Sequence, residues 1–165
     1  DLSNYDCLYI ASRQNPDDLI KARQVISSFL ADGKLVVALG ENHSELWLDN
    51  ICWEHCETNF WWWLTPGSDS GLRLGDKDHG LFKYIDLADA TWHRHGVLQP
   101  PVGAISLVNV ADGGSVLYDD AVSGPGRLIV STLDPCYHHG SYFMPATTEF
   151  LRGFLPWLKA GAKQA

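Results

Sequence analysis

The amino-acid sequence predicts an α/β domain with a flavodoxin-like, three-layer arrangement, in which a mainly parallel sheet is followed by an antiparallel C-terminal meander. Residues 5–11 and 34–39 are short, continuous apolar runs, which are typical of parallel strands buried on both faces. The residues between these runs repeat with helical spacing, as in a βαβ unit. Residues 104–132 instead contain strand-like runs separated by short turns rich in glycine, which predicts antiparallel neighbours.

The first helix is predicted from its two ends and its apolar face. Asn15 suits the N-cap position, because its side chain accepts from an unpaired backbone N–H, and Pro16 suits the first helical position. Gly33 marks the end of the helix. The apolar residues with helical spacing are Leu19, Ala22, Ile26, Phe29 and Leu30. With the flanking strands, this pattern predicts a right-handed βαβ unit.

The central region has fewer periodic patterns. Residues 44–63 suit a helix followed by an irregular aromatic segment, and residues 65–78 are rich in Gly, Ser and Asp, as in a loop. Residues 79–85 suit a short helix. Residues 87–92 suit a strand, which would lead into His93-Arg94-His95-Gly96.

Three strands are predicted in the last third of the sequence, at residues 104–110, 115–119 and 127–132. The turns between them are Asp112-Gly113-Gly114 and Ser123-Gly124-Pro125-Gly126, residue types that adopt tight turns. Short connections of this kind predict an antiparallel meander.

A polar stretch and a closing helix follow the last strand. The stretch Asp134-Pro135-Cys136-Tyr137-His138-His139-Gly140 is predicted to be a loop. Thr147 or Thr148 suits the N-cap of the helix, and Pro156 is expected to kink or shorten it. Because the sequence contains no internal repeat or linker, residues 1–165 are predicted to form one domain.

Composition limits the classes of function. The formal net charge of −8 argues against nucleic-acid binding, because phosphate contacts need a basic surface. No apolar run approaches the roughly 20 residues that span a bilayer, so no membrane span is expected. Four cysteines are few for a disulfide scaffold and favour a reducing, cytoplasmic location. The sequence starts at Asp1 without Met, from which a processed or trimmed N terminus is expected.

Two segments carry a resemblance to a known family. The first is DLSNYDCLYIAS, followed by a helix and DGKLVVALGE; the second is SGPGRLIVSTLDPCYHHGSYFMPATTEFLRGFLPWL. The first segment resembles the region from the second strand to the third strand of class I glutamine amidotransferase-like domains. The second segment resembles the C-terminal end of these domains, particularly in the ThuA-like and uncharacterised branches. The resemblance implies an α/β fold that lacks its usual first βα unit, so that a partner chain is one way to complete the sheet.

The same resemblance implies a member without the amidotransferase chemistry. Active members carry a Cys within a G-x-C-x-G type elbow and a His after the late strand. Here the elbow has the sequence Leu39-Gly40-Glu41-Asn42-His43, and Asp134-Pro135 stands where the family has His-Pro. A thiolate nucleophile needs both the thiol and its base. The resemblance therefore implies a ligand-binding, accessory or assembly domain, linked to carbohydrate metabolism and binding a small molecule or sugar.

Four histidines suggest a metal site. His93 and His95 follow one predicted strand, and His138 and His139 follow the strand that precedes Asp134. Imidazole and carboxylate groups suit Zn²⁺ and similar divalent metals, and an open coordination position permits metal-assisted hydrolysis. The alternative is that these histidines only hydrogen-bond to the backbone of their loops.

The sequence Cys52-Trp53-Glu54-His55-Cys56 offers a second, off-type metal pattern. Two cysteines four residues apart share one face of a helix, and His55 or His43 would add a ligand. Structural zinc sites usually contain C-x2-C and four clear ligands, so a packed helical turn is the alternative.

Further candidates lie at the elbow and in the aromatic segment. Glu41 follows a predicted parallel strand, at the edge where open α/β sheets bind ligands, and with Asp134 it is a candidate catalytic carboxylate. His43, Trp62 and Trp92 are candidate ligand-binding residues. The run of tryptophans at 61–63 suggests sugar stacking or a partner interface, or else packing in the core.

Two classes of function remain open from the sequence. The first is the non-amidotransferase member described above, acting in ligand binding or in assembly as a homo-oligomer or with a partner chain. The second is a metal-dependent hydrolase that uses the loops of His93/His95 and His138/His139, with Glu41 or Asp134 as base.

Overall fold

The computed structural model describes residues 2–57, 64–142 and 144–161 of the chain. Within these residues eight strands form one sheet. The strands are β1 (Cys7–Ile10), β2 (Leu35–Leu39), β3 (Cys52–His55), β4 (Leu72–Leu74), β5 (Gly96–Gln99), β6 (Ile105–Val110), β7 (Ser115–Asp120) and β8 (Arg127–Ser131). The α-helices are α1 (Pro16–Ala31), α2 (Pro135–Ser141) and α3 (Pro145–Gly161). The predicted α/β class is confirmed.

The sheet is mixed, and its parallel part is smaller than expected. Its main path runs β1-β2-β8-β7-β5-β3, with β6 paired to β7 and β4 paired to β6. The ladders β1–β2 and β2–β8 are parallel, and the other ladders in the described part of the chain are antiparallel. The expectation of a mainly parallel sheet is therefore corrected, whereas the β6-β7-β8 meander is confirmed. The difference comes from β3, β4 and β5, which join the sheet through antiparallel ladders with β5, β6 and β7.

The unit β1-α1-β2 forms as its end signals predict. The Asn15 side chain accepts from the backbone N–H of Asp17, and Pro16 begins the helix. After the helix, Gly33 adopts a φ of +81°, the left-handed conformation that ends many helices. The two strands then pair in parallel, with Tyr9 opposite Val37.

Helices α1 and α3 cover opposite faces of the sheet. Val36 of β2 packs in the same cluster as Phe29 of α1, whereas Val37 packs in the cluster that contains Phe150 and Phe154 of α3. Both valines are fully buried. Successive side chains of a strand point to opposite faces, so a strand covered on both sides must be apolar throughout. The continuous apolar run of β2 is the consequence.

The predicted helix within residues 44–63 is wrong. A short 3-10 turn occupies Ser44–Leu46, and the sequence expected to be helical forms strand β3. Cys52 pairs opposite Gln99 of β5, a strand that is distant in sequence. A local helical pattern is overridden here by a ladder that forms only in the folded chain. Residues 58–63, which include Trp62 and the other two tryptophans of the run, lie outside the described residues.

Two further segments of the central region differ from expectation. The predicted loop at 65–78 contains β4, and the predicted strand at 87–92 is a 3-10 turn at Leu87–Ala90. The turn begins because the backbone N–H of Asp86 donates to the Asp89 carboxylate, a capping contact. The strand of this region, β5, starts later, at Gly96.

The C-terminal region is more helical than predicted. The expected polar loop after β8 forms α2, with Pro135 at its first position. Helix α3 continues past Pro156 to Gly161, so the expected shortening is wrong. Phe154 and Trp157, on either side of the proline, are buried in the core, and this packing holds the helix together across it. Among the described residues, no helix combines the length and the apolar character that crossing a membrane requires.

Candidate metal centre

The parallel strands β1, β2 and β8 each lead into a charged residue at one edge of the sheet. Arg13 follows β1, Glu41 follows β2 and Asp134 follows β8. Because neighbouring parallel strands end at the same edge, these side chains are brought together. The Arg13 Nη2 atom lies 3.3 Å from Asp134 Oδ2 and 3.3 Å from Glu41 Oε2. One guanidinium thus joins two carboxylates from different strands.

The close approach of these loops depends on Gly40. Its φ is +74°, and its backbone N–H donates to the Ser131 carbonyl at 2.8 Å. A Cβ atom at this position would lie 2.5 Å from Ser12 Cβ and 2.8 Å from Asp134 Cβ, both too short for carbon atoms. Only glycine lets the elbow place Glu41 beside Asp134.

Two histidines reach the same edge from the segment before β5. One ligand atom each from His93, His95 and Asp134 lie within 4.8 Å of one another. His93 is 5% exposed and Asp134 is fully buried. The rings of His93 and His95 meet edge to face, with centroids 5.1 Å apart. Two imidazoles and a carboxylate therefore converge on one buried point.

His138 joins this group because the segment after β8 is a helix. Asp134 is the N-cap of α2, and His138 lies four residues further along on the same side of the helix. The His138 Nε2 atom lies 3.1 Å from Asp134 Oδ1 and 3.1 Å from His93 Nε2. An extended loop would have pointed these side chains in different directions.

A second layer of contacts holds the group in place. The His95 Nδ1 atom lies 3.2 Å from Glu41 Oε1. The Arg13 guanidinium stacks on the ring of Tyr137, 3.7 Å from its centroid. Arg13 itself has a positive φ of 62°, which directs its side chain back over the edge of the sheet. Glu41 and Arg13 thus orient His95 and Asp134 from outside.

Burial favours the neutral imidazole at His93 and His138. Desolvation, with smaller electrostatic effects from His138, His95 and Arg13, lowers the pKa of His93 to about 3. Desolvation also lowers the pKa of His138. For Asp134, burial raises the pKa to about 6, against the opposing effect of Arg13. A neutral imidazole is the form that ligates a metal.

A pocket of about 140 Å³ opens beside the group. Glu41 and His95 line it together with His43, Trp53 and Thr132. The indole of Trp53 lies directly over Gly96, where a Cβ would come within 2.2 Å of Trp53 Nε1. The pocket wall therefore depends on a glycine next to the histidine pair.

Not every predicted site residue lies at this centre. His139 is exposed and its Nδ1 shares a hydrogen bond of 2.8 Å with the Thr148 hydroxyl, so it does not face the group. His43 lines the pocket and pairs with Glu45. Trp92 is 1% exposed and packs edge to face on Phe150 in the core, and its ligand-binding role stays a prediction.

The alternative metal pattern around Cys52 and Cys56 is not formed. These residues belong to an extended segment at β3 rather than to one helical turn, so their spacing no longer places them on one helical face. His55 instead lines the pocket near Trp53, with ring centroids 6.0 Å apart.

Three residues of the site were missed from the sequence: Arg13, Trp53 and Thr132. Arg13 follows β1 as Glu41 follows β2, so the edge rule applied to every predicted parallel strand would have found it. Trp53 could not be found in this way, because its segment was predicted to be helical.

The sequence of this chain matches no model of a known protein family and no curated protein.

Proposed function

We propose that this protein binds a divalent metal ion, with zinc as the best fit, through His93, His95 and Asp134, and acts as a metal-dependent hydrolase. The observation that carries the proposal is the convergence of these three ligand atoms within 4.8 Å at a buried point beside a pocket. Nitrogen and carboxylate oxygen ligands in a set of three, with a fourth position left for water, are typical of catalytic zinc.

His138 contacts two of the three proposed ligands. Its Nε2 atom lies 3.1 Å from His93 Nε2 and 3.1 Å from Asp134 Oδ1. We assign His138 the role of holding Asp134 in position.

Glu41 fits the role of a positioning group and base. Its Oε1 contacts His95 Nδ1, the arrangement in which a carboxylate fixes the tautomer of a metal-ligating histidine. Glu41 is also about one-third exposed and lines the pocket, whereas Asp134 is fully buried. The base role therefore falls to Glu41 rather than Asp134.

The chemistry requires little more than these residues supply. A bound divalent metal lowers the pKa of water, which provides a nucleophile near neutral pH. Glu41 accepts the proton, Arg13 holds the Glu41 carboxylate in place, and the pocket beside Trp53 receives the substrate.

Metal content tests the first half of this proposal. Protein purified without chelator and then dialysed against zinc should hold about one zinc per chain by elemental analysis. The double variant His93→Ala/His95→Ala should hold none, because two of three ligands are gone. His139→Ala is the matched control, since this histidine faces Thr148, and it should retain the metal. Equal metal content in all three proteins would contradict the site.

Activity tests the second half. The zinc-loaded protein should hydrolyse at least one member of a panel of p-nitrophenyl esters, phosphoesters and glycosides. Glu41→Gln should keep the zinc but lower kcat by about 100-fold or more, the usual contribution of a general base. Stoichiometric zinc without any turnover would leave a metal-binding protein and remove the hydrolase.

A second candidate function follows from where the centre lies. On the resemblance to amidotransferase-like domains, Glu41 and Asp134 correspond to the elbow and late-strand positions at which active members carry Cys and His. We therefore also propose a flavodoxin-like member of that superfamily that binds a small molecule or sugar, with Trp53 as the stacking surface. Titration with mono- and oligosaccharides should quench tryptophan fluorescence, and Gly96→Ala, which displaces Trp53, should reduce the quenching. A flat titration would count against this candidate.

Assembly through the sheet belongs to the same candidate. In the described part of the chain β1 pairs only with β2, so its other edge is open to a strand from a partner or a second copy. Sedimentation at micromolar concentration should then show a dimer or larger species, and a monomer would remove the homo-oligomer.

A further inference from the structure

A second pocket lies at the opposite end of the β7–β8 ladder from the metal centre. Its volume is about 240 Å³, and it is bounded by the end of α1, residues 48–51 and the turn at 123–126. Leu128, which lines it, pairs with Asp120 near the start of β8, whereas the metal centre follows the end of β8. We call this cavity the β7–β8 pocket. It is independent of the proposed function.

The walls of the β7–β8 pocket are mainly apolar. The residues that supply this surface are Leu30, Leu48, Ile51, Pro101 and Leu128. Its volume is below the roughly 300–1,000 Å³ of sites for drug-sized molecules, so it suits a small ligand.

Two polar side chains of β7 project into this apolar surrounding. Tyr118 and Asp120 are two residues apart on one strand, so they point to the same face of the sheet. Both line the pocket, and they are 1% and 4% exposed. Burial raises the pKa of the Tyr118 hydroxyl, and the nearby Asp120 carboxylate raises it further, so the two groups lie close enough to interact.

Both groups retain unused hydrogen-bonding capacity. Asp120 Oδ1 accepts from the backbone N–H groups of Val122 and Ser123, each at 3.0 Å. Among the described residues, the buried Tyr118 hydroxyl has no hydrogen-bond partner, and the backbone bonds to Asp120 both use Oδ1, which leaves Oδ2 available to a ligand. A buried polar group without a partner is costly to the fold, and a ligand that supplies hydrogen-bond donors removes the cost.

We propose that the β7–β8 pocket binds a small organic cation, an ammonium group on a compact apolar body. The ammonium donates to Asp120 Oδ2 and to the Tyr118 hydroxyl oxygen, and the apolar body fills the space beside Leu48 and Leu128. Within the described residues no lysine, arginine or histidine lines the pocket, and Asp49 at its rim is already paired with Arg23. An anionic ligand is therefore disfavoured.

Three probes of one shape test the ligand class. Cyclohexylamine, cyclohexanol and cyclohexanecarboxylate differ only in the polar group, and isothermal titration calorimetry at pH 7 measures their binding to the full chain. We expect cyclohexylamine to bind with a Kd of about 1 mM, cyclohexanol about tenfold more weakly, and the carboxylate not measurably. Amide chemical-shift changes should concentrate at Gly124 and Gly126, which line the pocket.

Two conservative variants identify the residues. Asp120→Asn keeps the acceptor for Val122 and Ser123 but loses the charge, so the amine should lose its roughly tenfold advantage over the alcohol. Tyr118→Phe should weaken amine binding about threefold to tenfold, and its urea midpoint should be unchanged or higher, because a buried hydroxyl without a partner has been removed. Tyr84→Phe, on an exposed tyrosine elsewhere, is the control and should change nothing.

Several results would overturn the inference. They are equal binding of the three probes, no binding of the amine at several times the expected Kd, or amine binding that survives both Asp120→Asn and Tyr118→Phe. A lowered urea midpoint for Tyr118→Phe would show that the hydroxyl is satisfied by structural water, which also removes the reason for a ligand. None of these outcomes depends on zinc or on hydrolysis.

Discussion

Two of the three buried aspartates in the described part of the chain, Asp119 and Asp134, have similar partners and opposite pKa shifts. The Asp119 carboxylate accepts hydrogen bonds from both Nε and Nη2 of Arg127, and His79 Nε2 lies 3.1 Å from Asp119 Oδ2. Burial alone would raise the pKa of Asp119, but these hydrogen bonds outweigh it and the pKa is lowered. Asp134 also has an arginine and a histidine, yet burial prevails and its pKa is raised to about 6.

The difference lies in how the arginine contacts each carboxylate. Arg127 binds Asp119 with two nitrogens and reaches both oxygens, which is the strong bidentate geometry. Arg13 reaches only Oδ2 of Asp134 and is shared with Glu41, while Oδ1 faces the neutral imidazole of His138. The first arrangement is a structural ion pair that ties β7 to β8. The second leaves a buried carboxylate whose negative charge is only partly compensated by Arg13.

The largest difference between the two sites is expected in the stability that is lost when each carboxylate is removed. Asp119→Ala removes a buried carboxylate that pairs with the partly buried Arg127 and should lower the free energy of unfolding by about 3 kcal/mol, the lower end of the range for a buried ion pair. Asp134→Ala, measured without metal, should cost much less, because the lost ion pair is partly offset by the removed desolvation. Urea unfolding measures both, with Asp78→Ala as an exposed control expected within about 0.5 kcal/mol of wild type. Equal losses at the two sites would refute the contrast.

The pH dependence of stability should separate the two sites by sign. The folded pKa of Asp134 is raised to about 6, so between pH 4 and 6 the folded state holds a proton that the unfolded state releases. Its contribution is favourable at low pH and is lost as pH rises through 6, by about 3 kcal/mol. Asp119, with a lowered pKa, contributes stability above the unfolded pKa of about 4 that is lost on further acidification.

The variant Asp134→Asn isolates the first of these effects from the histidines that titrate in the same range. The stability of wild type relative to this variant should be greater at pH 4 than at pH 7, in metal-free buffer. Urea unfolding at both pH values gives the difference, and a constant difference would contradict a raised pKa at Asp134.

Zinc should stabilise the folded protein through the Asp134 site and not through the Asp119 site. At a free zinc concentration about 100 times Kd, binding to the folded state alone adds about 2.7 kcal/mol. His93→Ala should abolish this increment. His79→Ala, which removes the histidine of the Asp119 site, should lower stability but keep the full increment. Thermal unfolding with and without zinc measures each, and an increment retained in His93→Ala would place the metal elsewhere.

The smallest expected effect is on zinc affinity, through the contact between His138 and Asp134. His138→Gln removes the imidazole beside Asp134 and should weaken zinc binding by about 10–100-fold, as other supporting contacts do. Competition with a chelating dye reports the affinity. A complete loss of zinc would instead make His138 a ligand itself, and an unchanged affinity would deny it any role at the centre.

Sequence patterns predicted the parts of the fold whose signals are local. The α1 helix was predicted from Asn15, Pro16 and Gly33, which act on their own backbone neighbours. The central region was mispredicted because β3 and β5 are each four residues long and pair with strands remote in sequence. Such short ladders leave little periodicity to detect.

The candidate site was also predicted only in part. His93, His95, His138 and Asp134 were selected from residue type, since imidazole and carboxylate are common metal ligands. His139 was included with His138, and only the helical geometry of α2 shows that the two histidines face apart, one toward Asp134 and one toward Thr148. Arg13 and Trp53 were assigned to the site only from the positions of β1 and β3 in the structure.

By itself, the sequence determined the α/β class, the first βα unit and the set of side chains able to bind a metal. The tertiary structure decided which of these side chains meet. Residues 93, 95 and 134, from two segments far apart in the chain, come within 4.8 Å in the folded structure, and Gly40 allows the loop that carries Glu41 to pack against Asp134. The reason is physical: capping and periodicity act within a few residues, whereas the convergence of ligands depends on packing between segments far apart in the chain.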